Sequence, residues 1–288
     1  MTATISWQTV YKDAITQLAN FESPEVDARR LVEAAAGIEP SEFHSTLNSQ
    51  PTTRAMAHFD QMLARRCQGE PLQYVVGRWA FRELDLLVDK RVLIPRPETE
   101  ILVGHAITET NRLSAPTVLD LGTGTGAIAL SVAFECPHSQ VIAADISEDA
   151  LAVARANLAG IGKAATRVTL LQGDWFNALD PSLPAEIDLG EIDLIVSNPP
   201  YIANHETLPD VVANHEPSLA LRAGDDGTEH LRHIVTGSRS WLKPSGVVLL
   251  EMAPHQISQL SDHAQASGFS TEIHPDLAGH DRILICRL

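Results

Sequence analysis

A chain of 288 residues has room for one large α/β domain and a smaller companion, each with a real core. Its 21 Lys and Arg against 37 Asp and Glu leave a formal charge of −16, which weighs against direct binding of DNA, because phosphate contacts supply most non-specific affinity. The cysteines (Cys67, Cys136, Cys286) are far apart, no basic-then-apolar leader opens the chain, no run of ~18 apolar residues occurs, and the 12 histidines form no metal-binding spacing; a soluble protein of a reducing cytoplasm, off the membrane and without a metal, is expected.

The first 70 residues read as helices. A helix is expected over residues 5–21, and a second begins at Ser23-Pro24-Glu25, a cap followed by a favourable first turn, and stops at Gly37. Residues 38–49 read as an irregular or short helical connection. A further helix spans residues 53–67, where Met56, Phe59, Met62 and Leu63 recur at three- and four-residue steps and mark a core face. Residues 71–92 change character: Tyr74-Val75-Val76-Gly77 and residues 80–88 look like a β-hairpin linker bridging to Val92-Leu93-Ile94.

Residues 93–288 alternate helix and strand. A helix from Pro97 carries Ile101, Leu102, Ala106 and Ile107. Strands are expected at 117–119, 140–144, 167–172, 192–197, 246–251, 269–274 and 282–288, and a helix at 149–159. The alternation predicts an α/β fold, a mainly parallel doubly wound sheet with helices on both faces. Residues 180–190, rich in Pro and acid, read as a surface loop.

Chemistry-bearing residues fall at four strand ends. The first strand leads into Asp120-Leu121-Gly122-Thr123-Gly124-Thr125-Gly126, whose glycines let backbone approach a ligand closely. The next ends in Asp145, near the spacing at which a carboxylate meets a ribose diol. The spacing is G-x-G-x-G, and Asp120 would repel a pyrophosphate but suit a cationic ligand, so the loop favours S-adenosyl-L-methionine over NAD. The third strand ends in Gly173-Asp174-Trp175-Phe176, where Asp174 could meet an adenine amino group and the aromatics either pack on its ring or belong to the core. The fourth, Ile192-Asp193-Leu194-Ile195-Val196-Ser197, ends in Asn198-Pro199-Pro200-Tyr201. A carboxamide and stiff prolyl carbonyls there offer acceptors for a planar NH2 group, and Tyr201 offers a flat surface. The plainer alternative is a strand ending in a turn.

Taken in order, Ile94-Pro95-Arg96-Pro97-Glu98-Thr99-Glu100, the Gly122 to Gly126 loop, Gly173-Asp174-Trp175-Phe176 and Ser197-Asn198-Pro199-Pro200-Tyr201-Ile202 resemble the release factor glutamine methyltransferases over nearly the whole chain. The stretch from Gly69-Glu70-Pro71-Leu72-Gln73-Tyr74 to Glu100 distinguishes that branch from other enzymes sharing Asn-Pro-Pro-Tyr. The resemblance implies a Rossmann-like seven-stranded methyltransferase sheet with a reversed last hairpin. It also implies S-adenosylmethionine held by Gly122, Thr123, Gly124, Thr125, Gly126, Asp145, Asp174, Trp175 and Asn198. The substrate implied is the Gln of the Gly-Gly-Gln loop of peptide chain release factors, presented to Asn198, Pro199, Pro200 and Tyr201, with the helical domain recognising the release factor.

Two other readings stand beside this one. The same four residues would serve an N6-adenine or N2-guanine nucleic-acid methyltransferase on a flipped base. A basic patch is imaginable in Arg54, Arg65, Arg66, Arg78, Arg82, Lys90, Arg91 and Arg96, for docking a release factor or its ribosomal-RNA-like surroundings, against an ordinary solvated surface. The second is a cofactor-binding adaptor without catalysis. Arg96 with Glu98, and Glu216-Pro217 with Leu219-Ala220-Leu221, are candidates for either substrate contact or loop structure.

Overall fold

The computed structural model describes residues 5–179 and 188–288. The segment read as an acidic surface loop falls mostly outside the described residues; residues 189–190 form a turn. The chain divides after Arg78 into two compact units.

The first unit is helical: α1 (Trp7–Gln17), α2 (Pro24–Ala36), α3 (Phe43–Thr46), α4 (Thr53–Cys67) and α5 (Leu72–Val76). Trp7, Val10 and Ala14 form the buried stripe of α1, and Phe59, Met62 and Leu63 that of α4; Trp7 meets Phe59 edge to face with ring centres 6.0 Å apart. One expectation is corrected here. Tyr74-Val75-Val76, read as β, is the end of α5: Pro71 leads in, and Gly77 at φ 77° accepts the left-handed turn that closes the helix by donating to the Gln73 carbonyl. Burial of Leu72, Tyr74 and Val75 outweighs the strand preference of Tyr and Val.

A hairpin of β1 (Arg78–Phe81) and β2 (Leu84–Leu87) follows, contained in the expected 80–88 stretch except for Arg78 and Trp79, and Val92-Leu93-Ile94 is loop. There follow α6 (Pro97–Thr110), β3 (Thr117–Leu121), α7 (Ala127–Glu135), β4 (Gln140–Asp145), α8 (Glu148–Leu158), β5 (Val168–Gln172), β6 (Ile192–Ser197), α9 (Asp210–His215), α10 (Glu229–Trp241), β7 (Leu242–Glu251), α11 (Ile257–Ala266), β8 (Ser270–Pro275) and β9 (Asp281–Arg287). Seven strands make one sheet in the order β5-β4-β3-β6-β7-β9-β8. The run from β5 to β7 is parallel, and β9 is antiparallel to both β7 and β8, the reversed last hairpin.

Both faces of the sheet are covered, which is why its strands read as near-continuous apolar runs. Val118, Val141, Ala143, Val196 and Leu249 pack with α6 and α7 on one side. Leu119, Ile142, Ile195, Val248 and Leu284 pack with α10 and α11 on the other. The direction of strand addition reverses between β3 and β6, and ligands of such sheets gather outside the carboxyl ends at that reversal.

Arg29, Arg30, Arg65 and Arg66 each form an ion pair within the helical unit. Asp27 is buried and takes a 2.7 Å ion pair from Arg66, whose guanidinium lies 4.0 Å over the Phe21 ring. Removing one partner strands a buried charge, whereas replacing both with apolar side chains does not. Urea titration should show Arg66→Leu losing about 3 kcal/mol of stability and the Asp27→Leu, Arg66→Leu double variant recovering most of it.

Candidate active site

The loop after β3 is shaped from within. Gly122, Gly124 and Gly126 all have positive φ (73°, 56° and 85°), and the Gly122 and Thr123 amides both donate to the Ala144 carbonyl at 2.9 Å. A Cβ on Gly126 would sit 2.9 Å from Leu130 Cδ1. Asp120, expected to face a ligand, is instead fully buried beneath the turn. Its Oδ2 accepts from the Thr123 hydroxyl at 2.6 Å and the Ala129 amide at 3.2 Å, and its Oδ1 has no partner. Burial pushes this carboxyl up to about 7, against the pull of those two donors.

Asp145, at the end of β4, bridges the turn to the next helix. Oδ2 accepts from the Gly124 amide and Oδ1 from the Ser147 amide, both at 2.9 Å. Burial raises its pKa, and the amides of Ser147, Gly124 and Ile146 oppose the rise. Each oxygen retains a second lone pair for a ligand.

Past β5, Gly173 is required because a Cβ there would meet the Ala178 backbone at 2.5 Å. Trp175 has φ 49°, an outlier for a bulky side chain, and its ring lies 5.1 Å from the His230 ring of α10. The adjacent aromatics divide the two roles considered for them. Trp175 faces the cleft; Phe176, partly buried, stacks on Trp241 at 7° between planes, over Gly237, and packs against the core.

These strand ends enclose a cleft. Gly122, Gly124, Asp145, Asp174, Trp175, Asn198 and Pro200 line it. Thr123, Thr125 and Gly126 do not. Thr123 and Thr125 are buried, and the Thr125 hydroxyl accepts from the Ala127 amide while its carbonyl accepts from Asn157, so these residues set the loop's course. The lining also includes Ile146 and His230, which the motifs did not flag. Ile146 carried a signal, a large apolar residue left exposed directly after a strand-end acid; His230 carried none.

A second hollow adjoins the first. Asn198 lines both, while Pro199, Tyr201 and Arg96 line only the second. Arg96 is held by a 2.5 Å ion pair to buried Glu216, whose other oxygen accepts the Ile94 amide at 3.2 Å. The two uncertain motifs therefore brace each other at this hollow. Asn198 donates from Nδ2 to Thr99 Oγ1 at 2.9 Å. Among the described residues no donor reaches Asn198 Oδ1 or the Pro199 carbonyl. Tyr201 keeps its phenol proton, with burial pushing its pKa up to about 12.

Glu251, at the end of β7, was not singled out by sequence. It is 1 % exposed, and burial pushes it up to about 7, opposed by hydrogen bonding from Thr99, the charge of Arg282 and hydrogen bonding from Asn198. Among the described residues, no group of His, Cys, Asp and Glu is arranged to hold a metal, and no helix is long and apolar enough to cross a membrane.

Comparison with known proteins places this arrangement. Residues 97–215 match the methyltransferase small domain, and a methyltransferase from Pyrococcus furiosus shares the fold at a TM-score of 0.51 and 18 % identity, covering 78 % of this chain and 96 % of that one. The protein is thus a methyltransferase of the Rossmann-like class. Residues 9–77 match the PrmC N-terminal domain. The chain is 40 % identical over 271 residues to the release factor glutamine methyltransferase of Rhodopirellula baltica, covering 91 % of this chain and 89 % of the relative. The enzyme of that name from Deinococcus radiodurans is 36 % identical, with 96 % and 98 % covered. The chain belongs to the release factor glutamine methyltransferase family.

The buried carboxyls give a pH signature. A folded-state pKa raised above the unfolded value means the native state binds the proton more tightly, so stability falls as pH rises from the ordinary carboxylate range through about 7 and levels off above it. Asp120→Asn keeps acceptors for Thr123 and Ala129 without the charge. Chemical denaturation at pH 5 and pH 8 should show the variant losing about 2 kcal/mol less between the two than the parent does.

Proposed function

We propose that this enzyme transfers a methyl group from S-adenosyl-L-methionine to the side-chain amide nitrogen, N5, of the Gln in the Gly-Gly-Gln motif of peptide chain release factors. The observation that carries the reading is Asn198, whose carboxamide borders both hollows with its NH2 end engaged by Thr99. Its oxygen is then the end offered to a substrate.

The residues of the first cleft fit the donor. Asp145 has one lone pair left on each oxygen for the two ribose hydroxyls, and Trp175 and Ile146 supply apolar walls for the base. Gly122, which borders the slot, takes a φ of 73° that L side chains rarely adopt. Asp174, exposed at the rim, suits the adenine amino group. When bound, S-adenosylmethionine supplies a methyl carbon made electrophilic by its sulfonium.

The chain's own residues handle the acceptor. A carboxamide nitrogen is a poor nucleophile because its lone pair is delocalised into the carbonyl. Asn198 Oδ1 and the Pro199 carbonyl accept the two amide hydrogens and fix the nitrogen's direction, while Tyr201 packs on the amide plane and Pro200 stiffens the turn. Alignment of this kind supplies up to ~7–11 kcal/mol in well-oriented cases. The cation first formed, an amide nitrogen carrying the new methyl and both hydrogens, is a strong acid, so one proton passes to water or to an acceptor already bonded to it, leaving the neutral N-methylamide, and no tuned base is needed.

The helical unit is assigned to recognition of the release factor. A nucleic-acid substrate draws less support: of the eight cationic residues that might have formed a patch, Arg65, Arg66, Arg82, Arg91 and Arg96 are each paired with a carboxylate. The deciding experiment incubates the enzyme and S-adenosylmethionine with purified release factor, then digests it for mass spectrometry. A mass gain of one CH2 on the Gly-Gly-Gln glutamine is expected; methylation of DNA or RNA in its place would overturn the assignment.

Variants separate the two hollows. Asn198→Ala should abolish transfer while calorimetry finds cofactor affinity within about threefold of the parent. Asp145→Ala should weaken cofactor binding, each lost charged hydrogen bond being worth about 1.5–3 kcal/mol. Unchanged affinity would remove Asp145 from the ribose site.

A further inference from the structure

The motif Arg96-Pro97-Glu98-Thr99 contains one residue that neither the donor cleft nor the ion pair to Glu216 accounts for. Thr99 lies in the first turn of α6, 5 % exposed, and its hydroxyl oxygen accepts Asn198 Nδ2 at 2.9 Å. Having accepted that bond, the hydroxyl has its own proton left to donate. A carboxyl stands beside it: Glu251 is 1 % exposed, Thr99 and Asn198 are among the groups that hold its pKa down, and its Oε2 is without a hydrogen-bond partner. Register explains the meeting. Ser197 of β6 pairs with Leu250 of β7, so the residues that follow, Asn198 and Glu251, emerge side by side at the carboxyl edge.

We infer that Thr99 and Glu251 are positioning residues that lock the Asn198 carboxamide with its nitrogen toward the protein and its oxygen toward the substrate amide. The inference rests on the function proposed above and assigns that site its source of polarity. The two ends of a carboxamide have nearly the same shape. Turned over, Asn198 would point NH2 at the NH2 of the incoming glutamine, a donor facing a donor. A threonine whose oxygen takes Asn198 Nδ2, with its proton left to turn to the ionised Glu251 carboxylate, removes that second orientation. Glu251 is the terminus of this short chain; Arg282 of β9 and Glu98 of α6 are the other ionisable groups acting on it, and its own charge raises the pKa of Tyr201.

The roles of space-filling and of polarity separate in a matched set of variants. Thr99→Val keeps the shape and deletes the hydroxyl; Thr99→Ser keeps the hydroxyl and trims the methyl; Glu251→Met keeps the bulk and relieves a buried carboxyl, so it should fold. Each is assayed with S-adenosylmethionine and unmethylated release factor for kcat and KM, by calorimetry for cofactor affinity, and by thermal melting. Thr99→Val and Glu251→Met should lose about tenfold to a hundredfold in kcat with KM and cofactor affinity within about threefold, and Thr99→Ser should restore most of the rate. Thr99→Val at parental kcat, Thr99→Ser as slow as Thr99→Val, or a loss of cofactor affinity matching the loss of rate would each overturn the lock while leaving the function standing. A parent enzyme that transfers no methyl to the release factor would overturn both.

Discussion

A carboxamide has a donating end and an accepting end of nearly equal size, so what Asn198 can do depends on which end the protein holds. The hydroxyl of Thr99 takes the nitrogen, and the oxygen is left for the hollow lined by Pro199, Tyr201 and Arg96. Everything else about the second unit serves to bring these parts together. Parallel pairing from β5 to β7 delivers the Gly122 to Gly126 loop, Asp145, Asp174, Asn198 and Glu251 to one edge. The reversal of strand order between β3 and β6 opens the gap in which they stand.

Holding that edge requires carboxyls in places where solvent would otherwise stabilise them. Asp120 clamps the turn from beneath, and Glu251 stands behind Thr99 and Asn198; each is deeply buried with one oxygen unpartnered. Such groups lower stability at neutral pH. The sheet can tolerate this because both its faces are covered by helices over a continuous apolar layer. Trp175 adds backbone strain at the same edge, with its positive φ turning the indole toward the cleft.

Much of this was legible in the sequence wherever the information is local. Glycines at 122, 124 and 126, the acid at 145 and Asn-Pro-Pro-Tyr at 198 to 201 fall at strand ends that alternation already marks, and α4, Thr53–Cys67, has the expected bounds. What failed depends on contacts distant in the chain. Tyr74-Val75-Val76 has strand-forming residues but is helical because burial decides it. Asp120 was read as facing a ligand, yet its strand position turns the carboxylate under the loop to Thr123 and Ala129. Asn198 and Glu251 are separated by some 50 residues and come side by side only through the pairing of β6 with β7, with Thr99 reaching Asn198 from α6, which no local pattern encodes. His230 comes to the cleft in the same way, from the far side of the sheet.

The central claim concerns the orientation of one side chain, and a crystal structure of the enzyme with S-adenosylhomocysteine and a release factor, at a resolution where amide hydrogens are assigned from neutron density, measures it directly. The account predicts Asn198 Oδ1 about 2.9 Å from the glutamine amide nitrogen, with deuterium on Nδ2 directed at Thr99. Nδ2 turned toward the glutamine, or the glutamine nitrogen bonded elsewhere, would contradict it.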